Sequence, residues 1–262
     1  MGSRHVTDVT YSGKMIFMLS YRIEGDGPPL LMIHGFGISF NIWCNLALLL
    51  REHFKLIMIE LPGIGSSPAP EGDYLEFSVR AIEELRLALK INRWHVLSYS
   101  SGTRVGEVYI ERHAEHVIKA LYLCPAQTNL PRGIGLKFAK ALDSRLPALG
   151  NWVLSGRRLD FLIRLLGFNL RPSEYAQSWM DEISACSVDT LKQTIRSLPL
   201  DGRRHFSTPP VPQLFIWGKY DYITALPRKP SAHHRLINAT HSAPVTTANE
   251  VAALAIPFFS AT

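Results

Sequence analysis

Three side chains in this 262-residue sequence stand where apolar runs give way to small or polar residues, and their types fit nucleophilic attack on a carbonyl. Ser100 closes the run WHVLSYS, Asp221 follows LFIWGKY, and His241 follows HRLINAT. A serine hydroxyl attacks poorly near neutral pH unless a neighbouring base takes its proton. An imidazole can serve, and a carboxylate on its other ring nitrogen holds the tautomer and stabilises the imidazolium formed during attack.

Each residue has a competing explanation that its surroundings weigh against. Ser100 has the small residues Ser98 and Gly102 two positions to either side. This small-x-Ser-x-Gly spacing lets a chain turn sharply from strand to helix and lift one side chain above a sheet. Taken alone it also suits an ordinary N-capping serine. His241 lies after the last strand-like run, whereas His233 and His234 precede it and belong to the opposite edge. Asp221 lies just beyond a strand end, and the corresponding edge after LYLCPAQTN carries no carboxylate. A turn-forming aspartate beside Gly218 is the alternative. The chain order Ser, Asp, His agrees with the order in which a nucleophile-elbow architecture supplies its partners.

These residues need a scaffold that gathers loop ends at one edge. LLMIHG, KLIMIELPG, WHVLSYS and VIKALYLCPA read as strands, and so does KMIFMLSYRIEG near the start. Between them FNIWCNLALLLREH, YLEFSVRAIEELRLALKIN and the stretch from Gly102 to His113 read as helices. The alternation predicts an α/β fold with a mainly parallel sheet covered by helices on both faces. From Gln127 to about Ser207 helix-like segments such as RRLDFLIRLLGF and SVDTLKQTIRSL replace this rhythm, and it resumes with PQLFIWGKYD and HRLINAT and ends in TANEVAALAIPFF. We therefore expect a core of residues 1–126 and 208–262 with a helical insertion at 127–207. Its aromatic and aliphatic residues Phe138, Trp152, Phe161, Leu162, Phe168 and Trp179 are expected to pack.

Composition narrows the class. The net charge is +6, and residues 127–207 hold 12 Lys and Arg against 7 Asp and Glu, so most of the excess is regional. Without zinc-finger spacing, an RNP-like strand or a dense basic run, charge alone does not make a nucleic-acid-binding protein. No apolar run approaches the roughly 20 residues of a membrane span, and the first residues lack the apolar segment of a signal peptide, so a cytoplasmic protein is expected. Cys44, Cys124 and Cys186 show no metal-binding spacing and are expected to be buried free thiols. No metal or organic cofactor is called for.

From LLMIHGFG to the C-terminal helix, the sequence resembles the α/β-hydrolase superfamily. HGFG at 34–37 resembles the oxyanion loop, and ELPGIGSS at 60–67 the Asp-x-Pro-Gly-x-Gly-x-Ser turn. SYSSG, WGKYD and THSAP then follow in the order of a catalytic triad. Three departures stand out: Glu60 replaces the aspartate, Ser98 replaces a glycine, and the interval from Asp221 to His241 is shorter than usual, implying a truncated helix and room for a displaced histidine.

The resemblance implies a serine hydrolase of the carboxylesterase type, with Ser100, Asp221 and His241 as the triad. It further implies backbone N–H groups of Phe36 and Ser101 as the oxyanion hole, and the 127–207 insertion as a cap over the site. A serine at position 100 speaks against epoxide hydrolases and haloalkane dehalogenases, which carry a carboxylate there. The expected substrate is a small-molecule carboxylic ester, with a thioester or lactone also open. The basic insertion adds a possible partner, an acidic acyl-carrier protein docking on Arg157, Arg158 and Arg164. Two other readings stay open: a lyase or cyclase that uses the same histidine, and a ligand receptor with slow turnover.

Overall fold

A computed structural model describes residues 9–11, 14–16, 19–126, 144–145, 147–153, 173–198, 211–224 and 232–261, with Arg158, Phe161, Arg164, Leu165, Phe168 and Asn169 between. Strands β1 (Val9–Tyr11) and β2 (Lys14–Ile16) form a separate antiparallel pair. The main sheet holds β3 (Tyr21–Glu24), β4 (Pro29–Ile33), β5 (Lys55–Ile59), β6 (Trp94–Tyr99), β7 (Val117–Leu123), β8 (Gln213–Gly218) and β9 (His234–Ile237). Its spatial order is β3-β5-β4-β6-β7-β8-β9. Among the described residues of this sheet, only the β3–β5 pairing is antiparallel. The fold is therefore α/β with a mostly parallel sheet, as the alternating pattern predicts.

The sheet forms because its central strands are apolar on both faces. Every residue of β6 is buried, which only a strand covered on both sides can tolerate. Alternate side chains then enter opposite layers. Leu30, Met32, Leu97 and Leu121 join one apolar layer with Leu46 and Leu50 of α1 (Cys44–Leu50) and Val251, Ala255 and Phe259 of the C-terminal helix Ala248–Ser260. Leu31, Ile33, Ile57 and Val96 join the other, against Phe77, Ile82 and Leu85 of α2 (Tyr74–Ala88) and Val105 and Ile110 of α3 (Gly102–Arg112). Each such Leu, Ile, Val, Met or Phe side chain, fully buried, contributes about 1.5–3 kcal/mol. Helix α2 starts where Asp73 accepts hydrogen bonds from the N–H groups of Leu75 and Glu76, both at 3.0 Å.

Several local expectations change. KMIFMLSYRIEG supplies two strands, β2 and β3, that lie in different sheets. FNIWCNLALLL begins as a 3-10 turn over Phe40–Trp43 before α1. Among the thiols Cys124 is buried, Cys186 is half-buried and Cys44 is exposed, because Cys44 opens α1 away from the packed face. Phe168 and Trp179 pack edge to face, with ring centroids 4.8 Å apart. Trp152 and Phe161 are exposed, and the Trp152 ring instead carries the Arg158 guanidinium at 3.5 Å.

Between β7 and β8 the described residues include α4 (Pro147–Val153), α5 (Glu174–Ala185) and α6 (Val188–Ser197). Most of 127–172 and all of 199–210 lie outside the described residues, with Phe138, Arg157 and Leu162 among them. No helix among the described residues is long and apolar enough to cross a membrane.

Candidate active site

Ser100, Asp221 and His241 leave the C-terminal ends of β6, β8 and β9, the edge of a parallel sheet where polar loops collect. Ser100 Oγ lies 2.8 Å from His241 Nε2, and His241 Nδ1 lies 2.8 Å from Asp221 Oδ2. All three residues are buried. The short interval between Asp221 and His241 does not displace the histidine, while residues 225–231 lie outside the described ones.

Ser100 takes a φ of +51°, a left-handed conformation that costs a non-glycine residue roughly 1–2 kcal/mol. Its backbone is held accordingly. Ser100 N–H donates to the Leu123 carbonyl at 3.0 Å, and the Ser100 carbonyl accepts from Thr103 N–H (3.1 Å), Thr103 Oγ1 (2.6 Å) and Ala126 N–H (3.2 Å). The turn also depends on a close approach at Gly102, where a Cβ would stand 1.9 Å from the His34 carbonyl oxygen. Ser98 fits in place of a glycine because the facing residue is Gly106: a Cβ there would lie 3.0 Å from Ser98 Oγ.

Asp221 is saturated with donors. One carboxylate oxygen accepts from the N–H groups of Ile223 (2.8 Å) and Thr224 (3.1 Å), and the other from Thr224 Oγ1 and His241. Burial pushes this carboxyl upward, but His241 and the donors around it prevail and hold it below the usual carboxylate range. Asp221 is thus an anion built to orient an imidazole. Cys124, Asp221 and His241 bring ligand atoms within 4.8 Å of one another. Asp221 and His241 already bond each other at 2.8 Å, and burial with the Asp221 charge keeps the Cys124 thiol protonated, so this cluster is poorly suited to a metal ion.

The 34–37 segment runs beside Ser100, since a Cβ on Gly35 would lie 2.9 Å from Ser100 Cβ. This brings half-buried Phe36 and buried Ser101 to the same edge as Ser100. His34 braces the segment: its Nδ1 donates to the Gly35 carbonyl at 2.8 Å and its Nε2 accepts from Leu61 N–H at 2.8 Å. Glu60 serves the turn that follows β5, accepting from Ser66 N–H at 2.8 Å. Gly65 permits this at φ +55°, where a Cβ would meet the Glu60 carboxylate at 2.2 Å.

Tyr99, Thr224 and Glu182 belong to this neighbourhood and escaped the sequence pattern. The Tyr99 hydroxyl donates to the His241 carbonyl at 2.7 Å. Glu182 on α5 accepts from Ser39 and Asn41, just beyond the 34–37 segment. Nothing local signals either contact, whereas Thr224, three residues after Asp221, has the spacing of a local side-chain turn. Of the basic residues considered for docking, Arg158 donates to the Trp152 carbonyl at 3.1 Å, and Arg164 to Gln177 Oε1 at 3.2 Å.

Sheet order, strand-end placement and elbow define the class: a family model for the alpha/beta hydrolase fold matches residues 28–243, and the chain belongs to that family. Among particular relatives, it is 25% identical over 239 residues to a pimeloyl-[acyl-carrier protein] methyl ester esterase from Aeromonas salmonicida, covering 84% of this chain and 90% of that protein. It is 24% identical over 219 residues to the monoacylglycerol lipase abhd6-B of Xenopus laevis, covering 76% of this chain but only 63% of the lipase. Among solved structures, a hydrolase from Oleispira antarctica superposes with a TM-score of 0.79 at 18% identity, covering 94% of this chain and 96% of that one. A thermophilic esterase from Thermogutta terrifontis does so with a TM-score of 0.73 at 18% identity, covering 99% and 98%.

Proposed function

We propose that the protein is a serine hydrolase that cleaves a carboxylic ester through an acyl-enzyme. The observation that carries this is the pair of 2.8 Å hydrogen bonds linking Ser100 Oγ to His241 and His241 to Asp221. His241 Nε2 takes the Ser100 proton as Oγ bonds to the ester carbonyl carbon, and Asp221 steadies the resulting imidazolium. His241 then gives that proton to the leaving alkoxide as the ester C–O bond breaks. In the second half, His241 deprotonates a water that attacks the acyl-enzyme, and Ser100 recovers its proton as the acid leaves. Backbone N–H groups of Phe36 and Ser101 are the proposed donors to the tetrahedral oxyanion, each worth about 3 kcal/mol in the transition state.

The 127–207 segment acts in this proposal as a cap that shapes the acyl pocket. Support comes from α5 and α6, which pack on the edge loops: a Cβ on Gly37 would meet Ile183 and Leu191 at 3.0 Å, and one on Gly63 would meet Thr190 at 2.4 Å. The relative named for a pimeloyl group on an acyl-carrier protein supports, at the next level of detail, an ester presented on an acidic carrier that docks on this basic segment.

Intact-mass analysis after exposure to a fluorophosphonate probe, with a p-nitrophenyl ester series alongside, tests the chemistry. One adduct per chain with ester turnover, both lost in Ser100→Ala, is the expected result. An unlabelled parent protein without turnover sinks the proposal. For the carrier, a carrier-linked ester should outpace the free ester at low salt and lose that advantage at high salt.

A further inference from the structure

We propose that Tyr99 is a positioning residue for His241, tying the main chain of the base to the strand that carries the nucleophile. The proposal rests on the Ser100–His241 chemistry of the preceding subsection. The buried Tyr99 hydroxyl donates to the His241 carbonyl oxygen at 2.7 Å. Its ring lies 5.2 Å from the imidazole at an interplanar angle of 33°. Two consecutive residues thus hold His241 at three places: Tyr99 Oη on its carbonyl, the Tyr99 ring on its imidazole, and Ser100 Oγ on its Nε2.

His241 needs such a hold. It follows β9 and precedes the short helix α7 (Ala243–Thr246), so neither regular element contains it. Asp221 and Ser100 fix the two ring nitrogens but not the backbone from which the ring hangs. Tyr99 can supply that anchor because it ends the fully buried strand β6, and its ring is itself wedged edge-on against Trp43, with centroids 6.0 Å apart at 72°. Burial, reinforced by the Asp221 charge, keeps the phenol protonated far above its ordinary range, so it remains a donor.

The consequence for turnover is geometric. His241 must reach the Ser100 hydroxyl, the leaving group and a water from one position, and a 1 Å misplacement of a reacting group costs on the order of 100-fold. The ring adds a second contribution, since an aromatic face attracts the positive charge that the imidazole acquires in the transition state. Tyrosine supplies both effects and phenylalanine only the second.

Tyr99→Phe deletes only the hydroxyl. We expect kcat on a p-nitrophenyl ester to fall about tenfold with KM within about twofold, because proton transfer suffers and ground-state binding does not. The rate of fluorophosphonate labelling should fall in parallel. Tyr99→Leu, which also removes the ring, should fall further. Trp94→Phe, in the opposite apolar layer, is the stability control and should lower the thermal midpoint without lowering kcat.

Parental kcat and labelling in Tyr99→Phe, or an equal kcat loss in Trp94→Phe at equal loss of stability, overturns the proposal. With an inactive Ser100→Ala, a fully active Tyr99→Phe sinks Tyr99 alone. An active Ser100→Ala sinks the nucleophile and Tyr99 together. Should Tyr99→Phe fail to fold, proton NMR of the parent decides: a Tyr99 hydroxyl proton protected from exchange and close to His241 is expected, and rapid exchange overturns the anchor.

Discussion

The carboxylate of Glu182 accepts two hydrogen bonds from Ser39, one from its N–H at 2.7 Å and one from its Oγ at 3.1 Å. Asn41 Nδ2 adds a third at 2.8 Å. Glu182 lies on α5, and Ser39 caps the 3-10 turn that follows the 34–37 segment. One side chain therefore fastens the helical segment between β7 and β8 to the loop that flanks Ser100.

Glu182→Ala should free that loop. Leaving the part-buried Ser39 donors without a protein acceptor costs about 1–3 kcal/mol, while the exposed Asn41 amide can turn to water. Denaturant unfolding should show a loss of that size, and the Ser39 amide should exchange its hydrogen faster. Glu182→Gln retains one acceptor oxygen and should cost less.

The three strand-end residues should behave as one unit. Ser100→Ala and His241→Ala should each reduce kcat by about 10⁵–10⁶, with the double variant little worse, because each alone stops the same step. Asp221→Asn should cost about 10⁴ by favouring the wrong imidazole tautomer. Steady-state kinetics on one ester checks all four, and additive losses in the double variant would mean that the residues act separately.

Two glycines separate close approach from backbone conformation. At Gly102 a Cβ would meet backbone 1.9 Å away, so Gly102→Ala should destabilise by about 3 kcal/mol or more and distort the turn at Ser100. Gly72 has φ +80° and nothing within 4 Å of a Cβ. Gly72→Ala should cost only about 1–2 kcal/mol of conformational strain. Thermal unfolding of both variants tests the contrast.

Stability should fall on mild acidification, beginning above the carboxylate range. Burial pushes the His34 imidazole from its ordinary 6.5 down to about 4, against a smaller opposing effect of its bond to the Gly35 carbonyl. Between those values the unfolded chain binds a proton that the native protein refuses, so stability drops as pH falls through the window and levels off below about 4. For His34 alone the loss is on the order of 3 kcal/mol. His95, pushed down to about 4 by burial and then by Lys119 and Arg93, adds to the same limb. Asp221, held low, is lost at more acid pH still. Urea unfolding from pH 7 to pH 4 should show the decline, and His34→Asn should lessen it while leaving the His95 share.

The strand-helix alternation and the identity of the strand-end residues could be read from the sequence because both are local. Apolar runs bounded by small residues mark where β6, β8 and β9 end, and each end carries one reactive side chain. The contacts that hold those side chains in place are different in kind. Tyr99 meets His241 across 142 positions and Ser39 meets Glu182 across 143. No periodicity encodes such pairs, because strand order in the sheet and helix packing on its edge bring them together. The place of Ser98 was decided in the same way, by a glycine on the facing helix.

The sequence by itself thus determined which chemical groups arrive at one edge of the sheet, since hydrophobic patterning and turn residues act over a few positions. Only the tertiary structure decided how firmly each is held. Orientation depends on buried hydrogen bonds between distant segments, and these gain strength because the packed sheet and its helices keep water from them.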